Sequence, residues 1–169
     1  MSAKLHQLLN EQINKEMYSA YLYLEISNYY NDLGLAGFAS WYKIQAQEEM
    51  AHADLFLRYM QHIDAKVELE AIAKPDAKLD SPRKGLQVSL EHEKYVTASI
   101  NAIYKEAWSN NDFQTTEFLN WFVKEQGEEE RNANDLINKF DLFGNDARSL
   151  YLLDQELAGR VYSAPSLTI

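Results

Sequence analysis

Between Lys124 and Asp135 the chain carries no large apolar residue for about three helical turns, yet Phe118, Phe122, Leu136 and Phe140 on either side share one helical face. Glu125, Glu129 and Ala133 fill that face, with Gln126 at its margin. Three other stretches repeat the pattern. The stripe Leu5, Leu9, Ile13, Glu16, Ala20, Tyr23, Ser27, Tyr30 has one acid at its centre. Phe38, Tyr42, Gln45, Glu49, His52, Phe56, Met60, Ile63 places Glu49 and His52 three apart on one face. Leu86, Leu90, Glu93, Thr97, Ile100, Tyr104, Ala107 again holds a single acid. Taking an unpaired carboxylate out of water costs several kcal/mol, so inward acids need protons, cationic partners or a metal. No stripe carries an inward Lys or Arg. Oxygen ligands with one imidazole suit iron or manganese, and the absence of thiolates disfavours a structural zinc site.

The elements that must position these side chains are helices. The first is expected from about Lys4 to Asp32, after a Ser2 cap and ending near Gly34, and the second from about Gly37 to Asp64. Periodicity fails from Ala65 to about Ser81, a stretch marked by Pro75 and closed by Pro82, which is too long for a hairpin and therefore a crossover. Ser81-Pro82 opens a third helix to about Asn110. Asp112 caps a fourth, reaching about Leu142, and a fifth segment spans about Asp146 to Ala158 before a loose tail. A bundle over about residues 4–142, a fifth helix over 146–158 and a tail over 159–169 make one domain, all-α: a four-helix bundle with one long crossover and a short fifth C-terminal helix. Helices of this length span ~42 Å, and the acids lie near their midpoints. Antiparallel packing therefore brings Glu16, Glu49 with His52, Glu93, and Gln126 with Glu129 to one level. The fifth segment shows Leu150, Leu153 and Leu157 on one face, which a lone subunit would expose, so assembly is expected.

Composition narrows the function classes. A chain of 169 residues with 46% hydrophobic content builds one sizeable core, and a formal charge of −10 disfavours a nucleic-acid surface. No Cys is present, which leaves carboxylate, imidazole and hydroxyl chemistry. No apolar run approaches the ~20 residues of a membrane span and the N-terminus lacks a signal-peptide core, so no membrane association and a cytoplasmic location are expected.

The motifs N-K-E-M-Y around Glu16, A-Q-E-E-M-A-H from Ala46 to His52, Glu93, and K-E-Q-G-E-E-E from Lys124 to Glu130 resemble those of a prokaryotic-type non-haem ferritin. The resemblance runs through the fifth helix. It implies a ferritin-like bundle whose homo-oligomer, a hollow cage of about 24 subunits, oxidises ferrous iron with dioxygen or hydrogen peroxide and stores ferric mineral. It also implies an intrasubunit diiron centre: Glu16 and His52 on the first iron, Glu49 bridging, and Glu93 with Glu129 on the second. Gln126 would be a hydrogen-bonding neighbour, and Tyr23 an electron donor. Glu48, Glu125 and Glu128 would form a third iron site, with Glu129 shared. Glu125 and Glu128 lie to the same side of Glu129 on a helix, whereas Glu130 falls on the other flank.

The chain also departs from related patterns. Gln126-Gly127-Glu128-Glu129 lacks the second His of bacterioferritins, and Met50 after Glu49 is read as packing, so no haem is expected. Thr116 and Leu119 stand where animal heavy chains line a threefold pore with acids, which leaves the iron route open. Two other readings stay open on the same bundle: a small diiron oxygenase or peroxide reductase, and a scaffold cage with an impaired centre.

Overall fold

Ser2, Ser81, Asp112 and Asp146 turn side-chain oxygens onto the amides of Leu5, Lys84, Thr115 and Ser149, and a helix begins after each. In a computed structural model describing residues 1–169, the elements are α1 (Ala3–Asp32), α2 (Ala36–His62), α3 (Pro82–Ser109), α4 (Phe113–Phe143) and α5 (Ala147–Leu157), with no strands. All five expected helices are present, with ends within two residues of the expected ones. The first three terminate alike. Gly34, Asp64 and Asn111 take positive φ, and the next amides, of Leu35, Ala65 and Asp112, close back on Tyr30, Met60 and Ala107. This double closure satisfies carbonyls that a helix end leaves free, and Asp and Asn tolerate the left-handed backbone that Gly adopts without strain.

α2 has no cap from its own loop, and α5 supplies it: Asp154 Oδ1 accepts from the amides of Gly37 at 2.8 Å and Phe38 at 3.0 Å. The approach is so close that a β-carbon on residue 37 would lie 1.7 Å from the Asp154 carbonyl oxygen. Leu153 and Leu157 are buried against the bundle and Leu150 is partly so. The sequence-based expectation that this face lies bare in a lone subunit is therefore corrected. The same subunit covers it, and the large apolar residues exposed on α5 and at the end of α4 are Leu142, Phe143, Tyr151 and Leu152.

The crossover over residues 63–81 has neither helix nor strand, but it is fastened to α1. His6 bonds the carbonyl of Lys66, Asn10 exchanges two bonds with Glu68, and Asn14 donates to the carbonyls of Glu70 and Ala71. Four residues of helix advance ~6.0 Å and two of extended chain ~6.6 Å, so donors every fourth residue meet carbonyls every second. This strap runs alongside α1 to its far end, where Tyr30 Oη donates to the carbonyl of Pro82 at 2.6 Å. α3 thus starts beside the C-terminus of α1 and ends at its N-terminus, where Ser2 and Lys4 meet Glu106. α2 and α3 are parallel, and each is antiparallel to its sequence neighbour.

The core is two apolar clusters. Leu5, Leu9, Ile13, Phe56, Met60, Ile100, Phe118 and Phe122 belong to one. Tyr23, Ile26, Tyr30, Phe38, Tyr42, Leu86 and Leu136 belong to the other. Ile26 takes the inward place expected of Ser27, which instead lies partly buried and donates to the carbonyl of Ala39. Between the two clusters lies a layer of buried polar side chains.

Candidate metal centre

Mid-helix positions on α1 to α4 bring Glu16, Glu49, His52, Glu93, Gln126 and Glu129 into that layer, none more than 5% exposed. Ligand atoms of Glu16, Glu49 and His52 lie within 4.8 Å of one another. Gln45 draws in the fourth helix: its Nε2 donates to Glu129 Oε2 at 2.7 Å and to Glu49 Oε1 at 3.4 Å. Gln126 Nε2 donates to Glu93 Oε2 at 3.1 Å, and Tyr23 Oη donates to Glu93 Oε1. Gln12 Nε2 donates to Glu16 Oε1 at 2.8 Å. The imidazole packs edge-on against Trp121 and Phe122. Its Nδ1 faces the acids, 3.4 Å from Glu49 Oε2 but without hydrogen-bond alignment. The sequence leaves the choice of ring nitrogen open, and the structure turns Nδ1 inward.

Two buried atoms here have no partner: Glu16 Oε2 and His52 Nδ1. Native interiors rarely leave such atoms orphaned, and a carboxylate oxygen beside an imidazole nitrogen is a donor set for a cation. Burial is the first cause of the acids' altered ionisation. It raises Glu16 to about 8, with Glu49 adding repulsion, and Glu129 to about 8, with Glu93 adding repulsion. Burial lifts Glu93 to about 7 against the opposing bonds from Tyr23 and Gln126. Glu49 is also raised, by burial and then by Glu93 and Glu129. The Tyr23 phenol is pushed well up by burial and by Glu93, so it remains a donor. Without a cation these acids share protons.

The fourth helix requires one correction. Gln126, read at the margin of the inward stripe, is fully inside, and Glu125, read in it, is half-buried at the flank. Adjacent helical positions differ by 100°, and contact with α3 decides between them: Gln126 also reaches the Glu93 carbonyl and Thr97. Glu48, Glu125 and Glu128 meet at a second place, lining a cavity of about 290 Å³ together with His52, Trp121 and Glu129. Glu128 is exposed there, with Lys124 at 3.9 Å. Burial raises both Glu48 and Glu125.

Three residues at these sites have no role that the sequence alone assigns. Gln12 and Gln45 each stand four residues before an inward Glu, a Gln-x-x-x-Glu spacing that places the amide over its carboxylate. Arg160 belongs to the tail expected to be loose, which instead packs back: Trp121 Nε1 donates to Ser166, and Leu167, partly buried, packs against the first core cluster.

Fold and site together define a four-helix-bundle protein with a buried carboxylate–imidazole pocket suited to metal. A family model described as a ferritin-like domain matches residues 6–143. The chain is 37% identical over 155 residues to a bacterial non-heme ferritin of Campylobacter jejuni, covering 92% of this chain and 93% of that one. It is 32% identical over 162 residues to one from Staphylococcus aureus, covering 96% and 98%. A solved open-pore ferritin from Archaeoglobus fulgidus superposes with a TM-score of 0.92 at 41% identity, over 95% of this chain and 99% of that one. The chain belongs to the ferritin family.

Proposed function

We propose that this protein stores iron, oxidising ferrous ions at an intrasubunit diiron ferroxidase centre and holding the ferric mineral inside a homo-oligomeric cage in the cytoplasm. The observation that carries the reading is the pair of orphaned buried atoms, Glu16 Oε2 and His52 Nδ1, inside a ring of acids that are almost wholly buried. In this reading Glu16 and His52 hold one iron, Glu49 bridges, and Glu93 with Glu129 hold the other. Glu48, Glu125 and Glu128 form a third cation site at the mouth.

Ferrous iron is the substrate. Two ferrous ions each give up one electron, and dioxygen takes both with two protons to leave as hydrogen peroxide; two more ferrous ions and two more protons reduce that peroxide to two waters. The chain's part is positional and protonic. Carboxyls raised to about 7 and 8 release protons as cations arrive, and a bridging carboxylate accommodates both oxidation states. If Tyr23 gives an electron, the Glu93 carboxylate it touches accepts the phenolic proton. The cavity beside the centre is lined by four carboxylates, which suits a cation and not the apolar substrate of an oxygenase.

For assembly, the support from the chain itself is exposed apolar surface in two places. Leu142, Phe143, Tyr151 and Leu152 form one, and a groove along α1 and α2 with Tyr21, Leu24 and Met50 forms the other. No helix is long and apolar enough to cross a membrane.

The experiment is to size the native protein by light scattering and then follow ferrous oxidation by stopped flow. Fast oxidation of two ferrous ions per subunit is expected, slowed at least about tenfold in Glu49→Ala and Glu93→Ala. Unchanged rates in both folded variants would sink the ferroxidase centre. A parent protein that stays monomeric or dimeric refutes the cage.

A further inference from the structure

Arg160 lies outside every stripe that builds the centre, yet its side chain reaches the centre's edge. The guanidinium stacks on Trp41, with Cζ 4.2 Å from the ring centroid. One arm, Nη1, donates to Gln45 Oε1 at 2.8 Å and to the Trp41 carbonyl at 3.4 Å. The other, Nη2, pairs with Glu48 Oε2, and both partners are largely shielded from solvent.

The contacts to Glu48 and Gln45 bear on metal. Glu48 is a wall of the acidic cavity that opens toward His52 and Glu129, and Arg160 lines the same cavity. A guanidinium bonded to a Glu48 oxygen takes the place of a cation bound there. Gln45 has one amide oxygen and one NH₂ group. With the oxygen taken by Arg160, the NH₂ must face Glu129 and Glu49, as it does at 2.7 Å and 3.4 Å. The arginine therefore fixes which end of the amide the carboxylates meet.

We propose that Arg160 is a positioning residue of the centre and the resident cation of its mouth: the guanidinium and a metal ion held by Glu48, Glu125 and Glu128 exclude one another. Gln45 passes the exchange on to Glu49 and Glu129. A cation entering the mouth evicts the tail, frees the Gln45 oxygen and loosens the bonds that hold the bridging and fourth-helix carboxylates. This rests on the diiron reading above.

Zn²⁺ alone, which undergoes no redox step, is the probe. Calorimetric titration of the full-length assembled protein should show two tight steps per subunit and one weaker. Arg160→Gln, which removes the competing charge, should tighten the weak step by about tenfold or more, whereas Arg160→Lys, which keeps a charge in place, should stay near the parent. A tail that served only as packing would alter thermal stability and leave this step alone. Crystals of the Zn²⁺-loaded parent should show metal among Glu48, Glu125 and Glu128 with Arg160 swung away. A weak step unchanged in Arg160→Gln, or metal at the mouth with Arg160 still on Glu48, overturns the proposal. Absence of the two tight steps from the parent overturns the diiron reading instead.

Discussion

At the residue scale, the inward carboxyls tie stability to proton concentration. Glu16, Glu93 and Glu129 start from an ordinary value of 4.5 and rise to about 8, 7 and 8 in the fold. The native state therefore binds more protons than the unfolded chain between these limits. Their favourable contribution is complete below about 4.5 and is lost as pH rises through about 8. Denaturant midpoints of the metal-free protein should fall across that window, and Zn²⁺, by displacing the protons, should flatten the fall. A midpoint that climbs with pH contradicts this. Most of the ring was legible in the sequence because buried acids interrupt apolar stripes, a signal that composition cannot mimic. The supporting amides were harder to see. Gln12 and Gln45 are unremarkable residue types until the fold shows each beside its carboxylate, and Arg160 reaches the site through a contact 112 residues away in sequence.

At the element scale, helix starts were readable from the caps Ser2, Ser81 and Asp112, because capping is local chemistry, whereas Asp146 was legible only as the approximate start of the fifth segment. The cap of α2 was not, since Asp154 comes from a distant helix. This arrangement makes α5 an N-terminal cap as well as a packing element. Asp154→Ala should cost about 0.5–2 kcal/mol in reversible denaturation, the usual range for a lost cap. Gly37→Ala should cost more, because its new β-carbon would collide with the backbone of α5. The two penalties should fall short of additive in the double variant, since either change displaces the same helix. Full additivity would mean that α5 stays seated in both single variants. The inward turn of Gln126 in place of Glu125 has the same origin. Pitch alone leaves neighbouring positions at a stripe's edge ambiguous, and the bonds to Glu93 and Thr97 resolve it.

At the scale of the whole molecule, four long helices meet in one polar layer, but covalently they are two hairpins joined by the strap. α1 and α2 connect through residues 33–35, and α3 and α4 through residues 110–112. The crossover was legible as a long irregular connection. Its seam of His6, Asn10 and Asn14 was not, because backbone carbonyls carry no sequence signature. The strap also imposes an order on folding. Each hairpin closes a short loop, while docking one hairpin on the other must close the long one, so the hairpins are expected first. Glu16, Glu49 and His52 all belong to the first hairpin, and Glu93, Gln126 and Glu129 to the second. Half of the centre thus exists before docking and the other half is added by it. When metal-free protein refolds in the presence of Co²⁺, far-UV ellipticity should recover in an early phase. The visible absorption of cobalt in its completed ligand sphere should appear only in a later one. Simultaneous recovery of the two signals would show that the hairpins do not form ahead of the bundle.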